Sequence, residues 1–302
     1  MKRLILVLEC LLPSFCLYGQ ISITDIENKE TQQTAVYDSL KNFLGYDYQK
    51  YLGQDLYVLP KNEKLRIYGY SDFKIIVNNN FQTYNPENSF SSRTKYDSIA
   101  GQYFTVIKTS GEPDDFTRDK YLILNSRKNG QTLYFLYDPK YESSFPFLVV
   151  GYFEKLKKTY SQKNWFVNYA NDESFDLSTG NKLSIAKGSY YCEDVTIDSE
   201  NFKVSLLLLT PQGNKFLYQL YDTGLYPVTI LPKTDAEKYK RKFGSDNWQS
   251  ILDRKLKIGF TEEMVKMSWG EPLEINRSSN HDQWVYRNQY LYFENGLLTD
   301  FN

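Results

Sequence analysis

Residues 258–302 restrict the fold of this chain more than any other stretch, because their local signals agree on a helix followed by antiparallel strands. Thr261 provides an N-cap for a helix, and the two glutamates after it lie in the first turn, where the helix dipole favours negative charge. Gly270 offers the left-handed position beyond the helix, and Pro272 prevents the helix from resuming. The pattern therefore predicts a short helix that ends at Trp269.

Strand signals follow this helix. The runs 283–287 and 289–294 are aromatic and β-branched and have the length of strands. Asn295-Gly296 supplies the two positive φ angles that a type I′ turn requires, so residues 297–301 should return as a third strand. The segment is predicted to form a three-stranded meander with a helix available to cover one face.

Glycines, aromatics, a proline, a threonine and a valine are spaced through this segment, at Gly259, Thr261, Val265, Trp269, Gly270, Pro272, Trp284, Tyr286, Tyr290, Phe293 and Gly296. Their order resembles the small outer-membrane lipoprotein A family (SmpA/OmlA, or BamE-like), whose pattern is Gly-Met-Thr-x-x-x-Val, Leu-Gly-x-Pro, Trp-x-Tyr and Phe-x-x-Gly. The resemblance implies a fold and an envelope address, with association with the outer membrane, and the family pattern contains no catalytic residue. Without the family, the same positions are predicted to be core aromatics, a helix stop and a turn.

The first 19 residues have the pattern of a secretory signal peptide, with a basic start, an apolar run and cleavage after Gly19. The apolar run is too short to span a bilayer, and no other segment approaches twenty apolar residues. Cys10 and Cys16 do not follow small residues, which departs from the lipoprotein family. We expect a periplasmic or secreted protein with no transmembrane segment.

Loss of this leader leaves Cys192 as the one remaining cysteine, so no intramolecular disulfide is possible. Its sequence context favours a small buried hydrophobe, and a reactive thiol is the alternative.

Length, charge and aromatic content limit the number of domains, the kinds of ligand and the fold class. A chain of 302 residues suggests two or three compact units. Its 36 basic and 37 acidic residues form no basic stripe, which argues against binding of nucleic acid. Aromatic residues make up 17% of the chain and suit many short strands. The predicted fold class is α+β, mostly β, with repeated small antiparallel modules before the C-terminal unit.

Periodicity indicates one more helix near the N-terminus. Within residues 30–44, Val36, Leu40, Phe43 and Leu44 recur at helical spacing, and Gly45 can end the helix.

A weak internal repeat is visible in the middle of the chain. Gly53, Gly101 and Gly180 are each followed by an amide side chain and by apolar residues at alternating positions, as in a turn that leads into a strand. Trp165 and Trp248 both follow a basic stretch and an asparagine. A side chain that recurs in two modules is more economically a core position than two copies of an active site.

Two longer segments, 121–138 and 204–222, both read as β-hairpins, the first with the Asn129-Gly130 dipeptide of a type I′ turn. The predicted organisation is a signal peptide at 1–19, an N-terminal helix and short β module at 20–95, related β modules at 96–174 and 175–250, and the BamE-like unit at 251–302. Thr234 and Glu237 form a capping box that should start a helix near Asp235.

Groups for catalysis or metal binding are scarce in the sequence. His281 is the one histidine, and neither a phosphate-binding glycine loop nor a Gly-x-Ser-x-Gly motif is present. The acidic loop 112–119 lacks the ligand spacing of a calcium loop, so a solvated loop is favoured. The basic stretches 154–158 and 238–242 favour solvated charge over an anion site. No cofactor is predicted.

The sequence therefore favours an exported, non-catalytic binding or assembly protein of the cell envelope, acting through a protein partner. Two alternatives stay open. An inhibitor of a secreted enzyme would present a loop or an aromatic patch. A carbohydrate-binding or carbohydrate-active protein would use exposed rings or a pair of carboxylates, whose separation in space the sequence does not specify.

Overall fold

A computed structural model of the chain describes residues 36–85, 92–111, 119–168, 171–220, 229–278 and 281–302, and of residues 171–173 the backbone alone. The predicted signal peptide and residues 112–118 of the acidic loop lie outside these ranges. Residues 35–302 form one compact unit.

The described part is mostly β, with several antiparallel sheets. In chain order the strands are β1 (Asp55–Val58), β2 (Phe73–Val77), β3 (Asn80–Thr83), β4 (Tyr103–Ser110), β5 (Lys120–Ser126), β6 (Thr132–Tyr137), β7 (Phe147–Val149), β8 (Lys163–Val167), β9 (Asn171–Phe175), β10 (Lys182–Ile185), β11 (Gly188–Ile197), β12 (Val204–Leu209), β13 (Lys215–Gln219), β14 (Ile230–Pro232), β15 (Glu274–Arg277), β16 (Asp282–Tyr286), β17 (Gln289–Glu294) and β18 (Leu297–Phe301). The α-helices are α1 (Glu63–Arg66), α2 (Tyr96–Ile99), α3 (Val150–Tyr160), α4 (Lys233–Phe243), α5 (Ser245–Leu252) and α6 (Glu262–Trp269), and 3₁₀ helices occur at Gly45–Tyr51 and Glu142–Ser144.

The first sheet has the order β3-β2-β6-β5-β4-β1-β7. Its inner face is packed with aromatic rings from the strands, and the 3₁₀ helix that precedes β1 contributes Tyr48 and Tyr51 to the same core. Phe73 at its centre is fully buried and lies 5.2 Å from Phe135 and 5.5 Å from Phe147, measured between ring centroids. Large side chains that interlock in this way stabilise a sheet that has no disulfide.

The helix predicted within residues 30–44 is wrong over the described part, because residues 36–44 contain no helix. Val36 and Leu40 are 92% and 75% exposed, so their spacing does not create a buried face. Asn42 instead donates to the carbonyl of Phe147 and accepts from the amide of Val149, both at 2.8 Å. This side chain bonds to the backbone of edge strand β7, and such tertiary contacts override a weak helical period.

The second sheet has the order β13-β12-β11-β8-β14, and this order matches β6-β5-β4-β1-β7 of the first sheet strand for strand. In both sheets the last strand runs directly into a helix, α3 or α4. The register also shifts at the corresponding strand pair, between Val106 and Lys108 and between Cys192 and Asp194. An inserted hairpin, β2–β3 or β9–β10, separates the first two strands of each sheet.

This topology conflicts with the predicted module boundaries. The first sheet takes strands from both sides of position 95, and the second takes β8 from before position 174. The reason is that the first strand of each sheet pairs with strands that are distant in the sequence, which a search for contiguous repeats does not detect.

The C-terminal unit agrees with its local signals at most positions. Helix α6 has the predicted bounds, and the amide of Met264 donates to Oγ1 of Thr261 at 3.3 Å, which confirms the N-cap. Asn295 and Gly296 have φ angles of 51° and 75°, as a type I′ turn requires. The sheet has four strands, not three, because β15, which precedes the predicted meander, pairs with β16.

Three local predictions need correction. Asn129 does not have a positive φ angle although Gly130 does, so the turn of the first hairpin is not of type I′. Helix α4 begins at Lys233 with Pro232 as its N-cap residue, and no side chain caps it, because β14 leads straight into the helix. Gly270 has a φ of 87° but a ψ of −171°, so it ends α6 in a positive-φ conformation that essentially only glycine adopts and not in a left-handed helical cap.

Candidate functional site

The motif residues of the C-terminal unit lie mainly in its interior or at its turns. Trp284, Val265 and Phe293 are almost completely buried in one core together with α5 and α6. Tyr286 donates its hydroxyl hydrogen to the carbonyl of Gly270 at 2.8 Å, and the indole of Trp269 donates to the carbonyl of Arg254 at 2.9 Å. The remaining positions lie in turns or near the surface. The amide of Gly259 donates to the carbonyl of Leu298, Pro272 is half-buried after the helix, Gly296 is in a turn, and Tyr290 is 45% exposed.

The three glycines of the predicted repeat share a backbone conformation. Neither these glycines nor the two tryptophans occupy equivalent positions in the fold. Gly53, Gly101 and Gly180 have φ angles between 71° and 76°, and each precedes a strand by two residues. The strand after Gly180 is β10 of the inserted hairpin, and it does not correspond to β4, which follows Gly101. Trp165 lies on β8 whereas Trp248 lies on α5, so these two tryptophans are not equivalent either.

The remaining polar candidates do not converge on a catalytic centre in the described part of the chain. His281 is exposed, and its Nε2 lies 3.9 Å from a carboxylate oxygen of Glu294. Across the described ranges, no three His, Cys, Asp or Glu side chains lie close enough together to hold a metal ion. The basic stretches lie on α3 and α4, where Lys157 pairs with Asp194 at 3.0 Å.

Cys192 is fully buried on β11, where its thiol donates to the carbonyl of Asp194. Burial, together with the negative charge of Asp194, raises the pKa of this thiol to about 12. The thiol therefore stays protonated at neutral pH and behaves as a small hydrophobe.

We expect iodoacetamide at pH 8 to label Cys192 at least about a hundredfold more slowly in the folded protein than in urea, because little thiolate forms at a pKa so far above the usual 8.5. The labelled fraction of the Cys192 peptide would be followed by mass spectrometry. Equal rates in the two conditions would show an accessible, ionised thiol.

An open cleft of about 560 Å³ lies between a loop of the first sheet and a turn of the second sheet. Its lining combines cationic, aromatic, apolar and amide side chains, namely Pro60, Lys61, Asn62, Leu65, Tyr68, Arg93, Glu200, Asn201 and Phe202. The volume lies within the range of ligand pockets.

One wall is the segment 60–69 between β1 and β2, which we call the arch. Its seven residues 62–68 are all exposed, and helix α1 within it buries no side chain. The arch returns to the fold at Tyr70, whose amide and carbonyl pair with those of Thr94 at 2.8 Å each. Two backbone hydrogen bonds therefore anchor the C-terminal end of the protruding arch.

Cations and rings alternate at the base of the arch. The ammonium of Lys61 lies 4.6 Å from the centre of the Tyr70 ring and donates to the carbonyl of Gly69. Arg66 lies 5.1 Å from the centre of the Tyr96 ring, and its Nε donates to the carbonyl of Lys61 at 3.1 Å. Burial, and after it the charge of nearby Arg93, lower the pKa of Lys61. The ring contacts hold the positive charges in defined positions.

The opposite wall is the turn between β11 and β12. Asp198 accepts hydrogen bonds from the amide of Glu200 and the side chain of Asn201, both at 2.8 Å, which holds the turn in shape. Phe202 has a positive φ of 58° and places a ring in the cleft lining. The side-chain amide of Asn62 reaches the carbonyl of Glu200 at 3.5 Å and links the two walls.

No pattern in the sequence indicates this cleft. Its walls are more than a hundred residues apart in the chain, as the 138 positions between Asn62 and Glu200 show. The available signal was the run Lys64-Leu-Arg-Ile-Tyr68, in which basic and apolar residues alternate. Such a run predicts a half-buried strand equally well, and it is exposed here because it leaves the sheet.

The lining of the cleft offers charged, aromatic and apolar groups to a ligand. Comparisons with protein-family models, with curated proteins and with solved structures find no match.

Within the ranges that the structure describes, no helix is both long and apolar enough to cross a membrane.

Proposed function

We propose that this chain is an exported, non-catalytic protein of the cell envelope that binds a protein partner through the cleft between the arch and the β11–β12 turn. The observation that carries this proposal is the exposure of Leu65, Ile67 and Tyr68, at 52%, 82% and 54%, beside the cations of the arch. Apolar and aromatic side chains next to a charged rim are typical of protein interfaces. The signal-peptide pattern supports export to the periplasm or beyond.

We also propose that the chain contains an internal duplication followed by a BamE-like unit over residues 251–302. Two sheets with the same strand order, a helix after each and a register shift at the same strand pair support the duplication. Helix α6 and the meander after it are compatible with the family resemblance. In this proposal the repeated sheets form a scaffold, and the arch of the first sheet provides the binding surface.

A photo-crosslinking amino acid at position 68 tests the binding proposal. We expect this variant, expressed in the source cell, to form one discrete crosslinked species with an envelope protein, because Tyr68 lines the cleft and is half exposed. Denaturing gels and mass spectrometry would identify the species.

Tyr141 provides a matched control, since it is a tyrosine with 61% exposure that does not line the cleft. The same species from both positions, or none from position 68, would contradict binding at the cleft.

A further inference from the structure

We propose that the cleft recognises a short acidic segment of the partner polypeptide and that Lys61 holds one of its carboxylates. This inference rests on the proposed function and adds the chemistry of the bound segment.

The first reason is uncompensated positive charge. Neither Lys61 nor Arg66 forms an ion pair with a carboxylate among the described residues. Lys61 lines the cleft, and its ammonium is held between the Tyr70 ring and the Gly69 carbonyl. An incoming carboxylate would meet a donor that is already in position, and charge-assisted hydrogen bonds of this kind are the strong ones.

The second reason is the chemistry of the remaining lining. Pro60, Leu65, Tyr68 and Phe202 offer apolar contacts on both sides of the cations. The amides of Asn62 and Asn201 add donors and acceptors that suit a peptide main chain. Charge, apolar contacts and amides together fit a peptide in which acidic and apolar residues are neighbours.

Glu200 favours a peptide over an anionic membrane. It lies in the opposite wall, next to Asp198 of the same turn. A dense layer of lipid phosphates would approach these acids as closely as the lysine, and the resulting repulsion opposes docking. A single carboxylate can lie on the Lys61 side and avoid them.

A random octapeptide library displayed on phage is the first test. Selection on the mature protein should enrich Asp and Glu relative to the unselected library and to the same selection on Lys61→Gln. Failure to enrich acidic residues would overturn the proposal.

A selected peptide, labelled with a fluorophore, would then be titrated by fluorescence anisotropy beside a copy in which every Asp and Glu is replaced by its amide. We expect the amide copy to bind at least about tenfold more weakly, because a hydrogen bond to a charged group contributes roughly 1.5 kcal/mol or more.

Three single variants separate a binding role from a structural one. Lys61→Gln should weaken binding about tenfold by the same reasoning, whereas Glu200→Gln should tighten it about twofold because a repulsive charge is removed. Lys128→Gln is the matched control, since Lys128 is an exposed lysine of the first sheet that lies outside the arch and does not line the cleft, and it should change little. Equal effects of Lys61→Gln and Lys128→Gln, or weaker binding by Glu200→Gln, would overturn the proposal.

Co-sedimentation with phosphatidylglycerol vesicles tests the competing ligand. No binding by the wild type is expected, and binding that Lys61→Gln abolishes would overturn the peptide proposal in favour of a membrane surface. If position 68 still crosslinks one envelope protein while acidic peptides fail, the acidic preference is wrong and binding at the cleft stands. If position 68 crosslinks nothing, the proposed function itself fails.

Discussion

Trp284→Ala is expected to destabilise the protein by about 3 to 5 kcal/mol, the range for removal of a large ring from a core. Trp284 is completely buried, and its ring centre lies 4.6 Å from that of Phe293. It pairs in register with Ile275 and Leu291 on the two neighbouring strands, and the core beneath it includes Val265 of helix α6. Because strands and a helix enclose this ring, the structure cannot collapse to fill the cavity that alanine would leave. Urea unfolding followed by far-ultraviolet circular dichroism would measure the loss.

Trp284→Phe is the matched control for this experiment. The indole Nε1 of Trp284 is buried, and no hydrogen-bond partner for it exists among the described residues. Replacement by Phe therefore removes an unsatisfied donor along with some volume, and we expect a net loss below about 1 kcal/mol. An alanine variant that loses less than about 0.5 kcal/mol would place the ring at the surface. A phenylalanine variant as damaging as the alanine variant would show that the N–H is satisfied.

Gly69→Ala should cost about 3 kcal/mol and abolish binding at the cleft, since left-handed backbone and an overpacked contact contribute roughly 1 to 3 kcal/mol each. Gly69 has a φ of +53°, and an added Cβ would lie 2.1 Å from the carbonyl oxygen of Thr94. That oxygen accepts the hydrogen bond from the amide of Tyr70 that anchors the arch. The methyl group can be accommodated only if this backbone pair separates, which moves Lys61 away from its ring.

Gly130→Ala separates the effect of backbone strain from that of the contact with Thr94. Gly130 also has a positive φ, of 72°, but an added Cβ would have no heavy atom within 4 Å. We expect it to lose only about 1 kcal/mol from backbone strain and to keep its ligand affinity. Thermal unfolding and the anisotropy titration would be applied to both variants. Equal losses of stability would show that the contact with Thr94 is not the cause.

The local predictions that hold are those whose signals lie within a few residues of each other. Thr261 caps α6 through an amide three positions away, and Asn295-Gly296 forms its turn from adjacent residues. The hairpins β5–β6 and β12–β13 also occur where alternating apolar residues on both sides of a turn predicted them. Short-range signals of this kind depend little on the rest of the fold.

The predictions that fail are those that distant contacts decide. The period of residues 36–44 favours a helix, but Asn42 bonds to strand β7 more than a hundred residues away. Module boundaries read from contiguous similarity fall inside sheets, because β1 and β8 pair with strands that follow an inserted hairpin. The fourth C-terminal strand, β15, is short, and Ile275 is its one apolar residue, so the sequence shows no alternating pattern there that would predict a strand.

The sequence by itself determined the mostly β class and the C-terminal helix and turn, since propensity and capping act over short distances. Only the tertiary structure decided which side chains form a site. Lys61 and Glu200 are unremarkable surface charges in the sequence, and they line one cleft because two separate sheets place a loop and a turn side by side. That juxtaposition depends on packing between sheets, which no local pattern encodes.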